Sequence, residues 1–214
     1  MDLNKKYYPQ SVHECILPSD LKARSRLARW VKDPSKLPNM VLFYGPKGTG
    51  KTTFAECLID HLDLPKGYLD RWDAKGGFSR KMLDTIETRI RYRIDKDQKY
   101  VVFLDELKAE TPTEIDFCEG LRSLYNIYCG KFNIHFIATT NYPEQIRAVG
   151  KGSVWDRFTV LPFESFDAQD VIGLLTNIAK QEGILASRDD ISDYWEEYFP
   201  KLRLAIKDLD DLEE

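Results

Sequence analysis

The sequence predicts an α/β protein with a five-stranded parallel sheet flanked by helices, followed by a small α-helical domain. Residues 39–52, NMVLFYGPKGTGKT, place a glycine-rich loop between a short apolar strand and a helix. Residues 99–106, KYVVFLDE, contain four consecutive apolar residues, which is typical of a strand buried on both faces of a parallel sheet. From residue 168 onward the pattern is purely helical. We therefore place an α/β domain at 1–165 and a helical lid at 166–214.

Length and composition are typical of a soluble protein. The chain has 214 residues, of which 43% are hydrophobic, enough for one α/β domain and a small appendage. Apolar runs are only a few residues long and the N-terminus has no apolar segment, so we expect neither a membrane span nor a signal peptide. The expected location is the cytoplasm, or the host cytoplasm if the protein is viral.

Cysteine spacing and charge bear on the possible partners. The four cysteines show no CxxC spacing, which predicts reduced thiols and no zinc site. The net charge of -4 is uneven, because residues 189–214 carry ten acidic and three basic side chains. Residues 1–188 therefore hold 28 basic and 25 acidic side chains. A slightly basic body with an acidic tail is compatible with nucleic-acid binding.

The N-terminal arm, residues 1–20, contains two short segments punctuated by prolines, which favour an extended or turning path over a regular element. Two interpretations stay open. The arm lies on the surface, or its aromatic and apolar residues cover a bound purine. Residues 20–32 then predict a helix with an Asp or Ser cap, an apolar stripe and a basic opposite face.

The GxxxxGKT pattern at residues 45–52 predicts a phosphate-binding loop for ATP or GTP. A triphosphate must be wrapped by backbone N–H groups, and glycines leave the backbone free to do so. We expect Lys51 to reach the β- and γ-phosphates, Thr52 to hold Mg²⁺, and a helix from residue 51 to about 62 to point its positive end at the anion. The loop residues expected to contact the nucleotide are Gly45, Pro46, Lys47, Gly48, Thr49, Gly50, Lys51, Thr52 and Thr53.

Two carboxylates follow the buried strand at 99–106. A strand at 67–73 and a helix at 79–94 precede it. Asp105 and Glu106 stand at the strand's C-terminal end, where open α/β sheets bind ligands. Asp105 is predicted to hold the Mg²⁺ that bridges the phosphates, and Glu106 to orient and deprotonate the attacking water. The pair could alternatively begin a solvated turn, but the phosphate loop upstream favours hydrolysis.

The remaining elements follow the same alternation. A helix at 113–128 starts after Pro112, and a strand at 134–138 ends in the polar run Thr139-Thr140-Asn141, which either caps a turn or orients water. Residues 150–157 predict a loop and turn, and 158–161 a last short strand. Three helices, at 168–182, 189–198 and 201–209, then form the lid.

Together these motifs resemble an AAA+ ATPase, specifically the ATPase subunits of sliding-clamp loaders: the replication factor C small subunits and the large subunits of tailed-bacteriophage clamp loaders. The resemblance covers nearly the whole chain and implies the P-loop AAA+ fold, with a five-stranded parallel sheet and a partial helical lid. The loop departs from the usual form only at Lys47, where the family mostly has proline, a position we expect to face solvent. The sequence LDE at 104–106 matches the family's second motif.

The resemblance also assigns residues to the nucleotide. Residues 6–9, KYYP, are similar to the Lys-Tyr-Arg-Pro start of these subunits, whose arm packs on adenine. This implies base contacts from Tyr7, Pro9 and Val12. Thr140-Asn141 aligns with sensor 1, so the Asn141 amide is expected to contact the γ-phosphate or the attacking water.

Two arginines complete the implied site. Arg157, in Asp-Arg-Phe, stands where clamp-loader small subunits carry Ser-Arg-Cys, which implies an arginine finger for the neighbouring subunit's γ-phosphate. Arg203 follows Phe-Pro-Lys-Leu, which resembles the start of the lid helix that carries sensor 2, so we expect a γ-phosphate contact within the same subunit. The alternative for each is an ordinary surface arginine.

The resemblance implies an ATPase that uses ATP and Mg²⁺ in DNA replication and opens or loads a sliding clamp on primed DNA. Its implied partners are primer–template duplex, a sliding clamp or another replication protein, and further AAA+ subunits in an oligomer, but no membrane. Basic residues track the DNA backbone in this family, which nominates Lys75, Arg80 and Lys81, although a solvated helix end explains them equally well.

Two rival functions remain. One is a small AAA+ adaptor that binds ATP to assemble on DNA or a partner, and the other is a helicase loader or transposition-type regulator. The collar domain of clamp loaders has no counterpart in the 214 residues. On that basis we expect a monomer when the protein is purified alone, with an ATPase rate that rises with protein concentration and with DNA.

Overall fold

A computed structural model of the chain describes residues 2–74, 77–92 and 97–213. It is built on a five-stranded, all-parallel sheet with the strand order β2-β3-β4-β1-β5. The strands are β1 (Met40–Tyr44), β2 (Leu69–Asp73), β3 (Tyr100–Asp105), β4 (Ile134–Thr140) and β5 (Thr159–Pro162). The predicted sheet is confirmed. Strand β4 is longer than predicted, because Thr139 and Thr140 pair with Phe43 and Tyr44 of β1.

Helices cover both faces of the sheet and form the lid. They are α1 (Leu3–Lys6), α2 (Leu21–Lys32), α3 (Lys51–His61), α4 (Arg80–Tyr92), α5 (Pro112–Tyr128), α6 (Pro143–Ala148), α7 (Ala168–Glu182), α8 (Arg188–Tyr198) and α9 (Leu202–Lys207). Single-turn 3₁₀ helices lie at Pro34–Lys36, Val149–Gly152, Trp155–Arg157 and Leu209–Glu213. The helix predicted at 79–94 is α4, and its last two predicted residues lie outside the described part of the chain.

Two short helices correct the sequence-based expectation. The arm was expected to contain no regular element, yet α1 forms there, and the Asp2 side chain caps it by accepting from the Asn4 N–H. Helix α6, which was not predicted, starts at Pro143, where a proline is favourable because its missing N–H needs no partner. Both helices are too short to show a 3.6-residue apolar period.

Local capping fixes where the longer helices begin. The Asp20 side chain accepts from the Ala23 N–H at 2.7 Å and starts α2. Thr111 and Glu114 form a reciprocal capping box that starts α5. Within the described residues, no helix combines the length and the apolar character needed to span a membrane.

The described residues form a core with three parts. One apolar cluster, which includes Leu104 and Leu121, packs α4 and α5 on one face of the sheet, and a second, which includes Phe43 and Leu58, packs α2 and α3 on the other. Burial on both faces explains the uninterrupted apolar strands. The third cluster lies among α7, α8 and α9, and it also buries Leu3 of α1. The first helix of the chain therefore packs on the lid.

Candidate nucleotide-binding site

The loop after β1 has a backbone that requires glycine. Gly45 has φ +147°, and a Cβ there would lie 2.2 Å from the Phe163 carbonyl oxygen. Gly48 and Gly50 have φ +85° and +75°, in the left-handed region, and Gly50 directly precedes α3. The loop therefore turns tightly against the sheet and presents the N-terminal end of α3 beside its ligand site.

A polar cavity of about 330 Å³, the phosphate cavity, lies between this loop and the C-terminal ends of β3 and β4. Its described lining is Lys47, Gly48, Gly50, Lys51, Thr52, Asp105, Glu106, Thr139, Asn141 and Arg203. Nine of these ten were named from the sequence, and they come from three strand ends and the lid. Thr139 was missed as a site residue, although its position at a strand end was the available signal.

One carboxylate oxygen organises the deep end of the cavity. Asp105 Oδ1 accepts hydrogen bonds from Thr52 Oγ1 at 2.8 Å and from Thr139 Oγ1 at 2.7 Å. Hydroxyl and carboxylate oxygens are the ligands that Mg²⁺ prefers, so Thr52 and Asp105 fit the predicted ion. Held by these two side chains, Mg²⁺ would supply positive charge that stabilises the phosphates.

Glu106 is held in an uncommon conformation beside Asp105. Its φ of 58° lies in the left-handed region, which residues with a Cβ adopt rarely. Its N–H donates to Thr139 Oγ1 at 2.9 Å, and Asn141 Nδ2 donates to Glu106 Oε1 at 3.0 Å. Asn141 Oδ1 is buried and has no hydrogen-bond partner among the described residues, so it can still accept from a ligand or a water.

Lys51 is buried, with 6% of its surface exposed, and its ammonium group is held by the loop itself. Nζ donates to the carbonyl oxygens of Gly45 at 2.9 Å and of Pro46 at 2.6 Å. Burial lowers the pKa of Lys51 from its usual 10.5 to about 8, while the nearby Asp105 carboxylate opposes the shift. A phosphate would replace these two weak partners with a full negative charge.

A second cavity, the base cavity, of about 420 Å³, opens between the arm, the phosphate loop and the lid. Apolar and aromatic side chains dominate its described lining, which includes Tyr7, Pro9, Phe166, Leu174, Leu202 and Ile206. Gly48, Gly50 and Arg203 line both cavities, so the two adjoin. An apolar cavity beside a polar one fits the base and the phosphates of one nucleotide.

The arm residues divide between the base cavity and the core. Tyr7 and Pro9 line the cavity, whereas Val12 is 4% exposed, packs in the core beside Leu27 and is not among the described lining residues. The arm is tied to the lid, since the Tyr7 hydroxyl donates to Glu182 of α7, and Lys6 Nζ lies 2.5 Å from the same carboxylate.

Comparison with known proteins assigns the family. Residues 41–160, more than half of the chain, match the ATPase family associated with various cellular activities (AAA). The chain belongs to the AAA ATPase family. The match covers the phosphate loop, Asp105, Glu106, Asn141 and Arg157, which are among the residues that carried the resemblance in the sequence, whereas the KYYP segment at 6–9 and Arg203 lie outside it.

Curated relatives of this AAA ATPase include clamp-loader subunits. It is 30% identical to the replication factor C small subunit of Staphylothermus marinus, over 84% of this chain and 52% of that one. It is 32% identical to replication factor C small subunit 2 of Pyrobaculum islandicum (96% and 61%) and 29% identical to the sliding-clamp-loader large subunit of Enterobacteria phage T4 (97% and 63%). The chain thus spans between about half and two thirds of their length. The predicted resemblance is confirmed.

The fold of the AAA ATPase also occurs in solved structures. The Thermotoga maritima RuvB Holliday junction branch migration motor superposes with a TM-score of 0.70 at 15% identity, over 95% of this chain and 64% of that one. A point mutant of RuvB gives a TM-score of 0.71, also at 15% identity, over 96% and 65%. At this identity the likeness shows the fold alone, and it confirms the predicted sheet and helical lid.

The predicted basic residues lie in different places. Arg203 lines both cavities, but Arg157 is not among the described residues that line the phosphate cavity, and its Nη1 donates to the Ser153 carbonyl oxygen at 2.8 Å. Arg80 is exposed, with its Nε 3.4 Å from Asp84 Oδ1, and Lys81 is exposed as well. Lys75 lies outside the described residues. The structure therefore separates Arg157 from the cavity of its own chain.

Proposed function

We propose that this AAA ATPase hydrolyses ATP in the phosphate cavity and acts in DNA replication as a clamp-loader subunit that opens or loads a sliding clamp on primed DNA. The observation that carries the proposal is the convergence of Lys51, Thr52, Asp105, Glu106 and Asn141 on one cavity. The names of the relatives, replication factor C small subunit and sliding-clamp-loader large subunit, support the replication role.

The chain's own groups perform separate tasks in the reaction. Lys51 leaves the carbonyls of its loop and holds the β- and γ-phosphates, while the base enters the apolar cavity between Tyr7 and Leu174. Glu106 accepts a proton from the attacking water, and the Asn141 amide keeps that carboxylate in place. Arg203, which reaches the phosphate cavity from the lid, stabilises the γ-phosphate and couples lid closure to ATP.

Arg157 acts on a neighbouring subunit. Its guanidinium lies apart from the described lining of its own cavity, so a complete site forms only when a second subunit adds its arginine. An arginine finger supplied in this way accelerates hydrolysis by about 10³- to 10⁵-fold. The rate of hydrolysis then depends on subunit assembly, and a clamp loader needs this dependence.

DNA is the proposed stimulator of assembly. Residues 1–188 carry a small excess of basic side chains, and Arg80 and Lys81 are exposed at the start of α4. Contacts of this kind go to phosphates and carry no sequence information. Stimulation by DNA should therefore be independent of sequence and should weaken as salt rises.

The test is a titration of ATPase rate against protein concentration, with and without primed DNA and with the sliding clamp of the same genome. We expect the specific rate to rise with protein concentration, with DNA and further with the clamp. A specific rate independent of all three contradicts the proposal. Stimulation by a helicase instead of the clamp favours a helicase loader.

A mixing experiment tests the role of Arg157 separately. Arg157→Ala protein retains every cavity residue and lacks the finger, whereas Lys51→Ala protein lacks nucleotide and retains the finger. Mixing the two should restore part of the activity that each has lost. Arg188→Ala, which removes an exposed arginine of α8, is the matched control and should hydrolyse normally. Absence of rescue, in mixtures shown to assemble, contradicts action between subunits.

A further inference from the structure

Lys47 has a partner that its place in the loop does not predict. Its Nζ lies 3.8 Å from Glu106 Oε1, the same oxygen that accepts from Asn141 Nδ2 at 3.0 Å. The Lys47 side chain is 73% exposed and lines the phosphate cavity. The Lys47 side chain is thus exposed to solvent, as expected from the sequence. Its ammonium group, however, lies beside the Glu106 carboxylate, the proposed base.

The two lysines of the loop are held in opposite ways. Lys51 is buried and bonded to two backbone carbonyls of its own loop, whereas Lys47 crosses the cavity to the carboxylate that follows β3. Between groups this exposed, an ion pair contributes little to stability and breaks at little cost. Lys47 is therefore free to exchange Glu106 for a stronger anion.

The γ-phosphate of a bound ATP would lie close enough for Lys47 to contact it. A base lies about 3 Å from the water it activates, and that water lies about 3–3.5 Å from the atom it attacks. The γ-phosphate must therefore bind close to Glu106 Oε1, and Lys47 Nζ already lies 3.8 Å from that oxygen. Rotation about the bonds of the flexible four-carbon lysine side chain can then move Nζ from the carboxylate to the phosphate. The phosphate carries more charge than one carboxylate, and nucleotide binding expels water that screens the pair.

We propose that Lys47 is a γ-phosphate-discriminating residue of this site: it pairs with Glu106 when the γ-phosphate is absent and transfers to the γ-phosphate when ATP binds. The exchange has two effects. It adds affinity for a triphosphate but not for a diphosphate, and it frees the Glu106 oxygen to accept a proton from water. This inference rests on the proposed ATPase function.

The first test compares two nucleotides by titration calorimetry: the β,γ-imido analogue of ATP and ADP, each with Mg²⁺. Lys47→Met keeps the length of the side chain and removes its charge. This variant should lower the affinity for the analogue about tenfold, the usual effect of losing a hydrogen bond to a charged group. Its affinity for ADP should stay within about twofold of the wild-type value. Lys47→Arg should retain most of the discrimination. Lys66→Met, which removes an exposed lysine outside the cavity, should change neither.

A second variant tests the exchange itself. Glu106→Gln keeps an oxygen that accepts from the Asn141 amide, but it removes the negative charge that pairs with Lys47. The Glu106→Gln protein should bind the analogue more tightly than the wild type does. Adding Lys47→Met to it should lower the affinity for the analogue by a larger factor than Lys47→Met does in the wild type. An unchanged factor shows that the two residues act independently and overturns the exchange.

The outcomes separate this inference from the proposed function. Equal weakening of ADP and the analogue by Lys47→Met, or no weakening of either, overturns discrimination by Lys47 while nucleotide binding stands. If the wild type binds neither nucleotide, or binds both with an affinity that Lys51→Ala does not change, the proposed function itself is wrong.

Discussion

The phosphate cavity and the base cavity are assembled from the chain in different ways. The phosphate cavity is lined almost entirely by one loop and by the ends of two neighbouring strands, and hydrogen bonds link Thr52, Asp105, Thr139, Glu106 and Asn141 in a continuous series. The base cavity is lined mainly by the N-terminal arm and by lid helices from the other end of the chain, with the phosphate loop between them. The ion pair of Lys6 with Glu182 and apolar contacts hold the arm and the lid together.

This difference predicts different responses to mutation. Groups in the phosphate cavity are mostly positioned by the sheet and its loops before any ligand arrives. Changing one of them should therefore remove either one defined contact with the phosphates or one chemical step, depending on the group. Under the proposed function, groups in the base cavity would contact a part of the nucleotide that does not react. Changes there should alter the affinities for ATP and ADP equally and leave the rate at saturation unchanged.

The largest expected effect separates binding from chemistry inside the phosphate cavity. Glu106→Gln should lower kcat by about 10²- to 10⁴-fold, because it removes the proposed general base, and should still bind ATP. Lys51→Ala should lose nucleotide binding, because it removes the group proposed to hold the phosphates. Calorimetry and steady-state ATPase assays distinguish the two. Equal loss of binding in both variants contradicts these roles.

The pH dependence of ATP binding should follow Lys51. The free protein holds the pKa of Lys51 near 8 because the group is buried, and phosphate favours the charged form. Binding therefore takes up a proton above pH 8, and ATP affinity should be full below that pH and fall by up to about tenfold per unit above it. Calorimetry in buffers of different ionisation enthalpy measures the proton.

Two further measurements check the assignment to Lys51. Lys51→Arg, which stays charged, should bind without this proton uptake. The lowered pKa also means that the unfolded chain binds more protons than the folded one between pH 8 and 10.5, so the free energy of unfolding should rise with pH across that window. Proton uptake that persists in Lys51→Arg assigns the titration to another group.

Leu174→Ala tests the base cavity. It removes apolar surface from the side of the cavity formed by α7, and should weaken ATP and ADP alike by about five- to tenfold, with kcat at saturation unchanged. Leu185→Ala is the matched control, since Leu185 is also in the lid but is 95% exposed. A loss confined to ATP would place Leu174 in contact with the phosphates and would break the comparison.

The smallest expected effect concerns the contact between arm and lid. Glu182→Gln removes the charge that holds Lys6 and weakens the acceptor for the Tyr7 hydroxyl. Because these groups are partly exposed, ATP and ADP should weaken by only about two- to fivefold, and less in high salt. Glu196→Gln, at an exposed position of α8, should have no effect. A loss of kcat without a loss of affinity would mean that the arm acts on chemistry.

The elements that sequence patterns predicted well are those with a strong local signal. Strand β1 lies where the short apolar run before the loop predicts it, and α3 starts at the predicted Lys51, because an apolar run, three glycines and a GKT sequence each constrain neighbouring residues. Helices α1 and α6 escaped prediction because four and six residues show no helical period. Thr139 escaped as a site residue because a threonine at a strand end has many possible partners.

The sequence by itself determined the parallel sheet, the phosphate loop, the two carboxylates and the family, since each is encoded by residues adjacent in the chain. Only the tertiary structure decided that Thr52 and Thr139 share one oxygen of Asp105, that Lys47 faces Glu106, and that Val12 packs in the core. It also decided that α1 packs on the lid and lines part of the base cavity. These contacts join segments far apart in the chain, and they depend on how whole helices and strands pack, which no local pattern specifies.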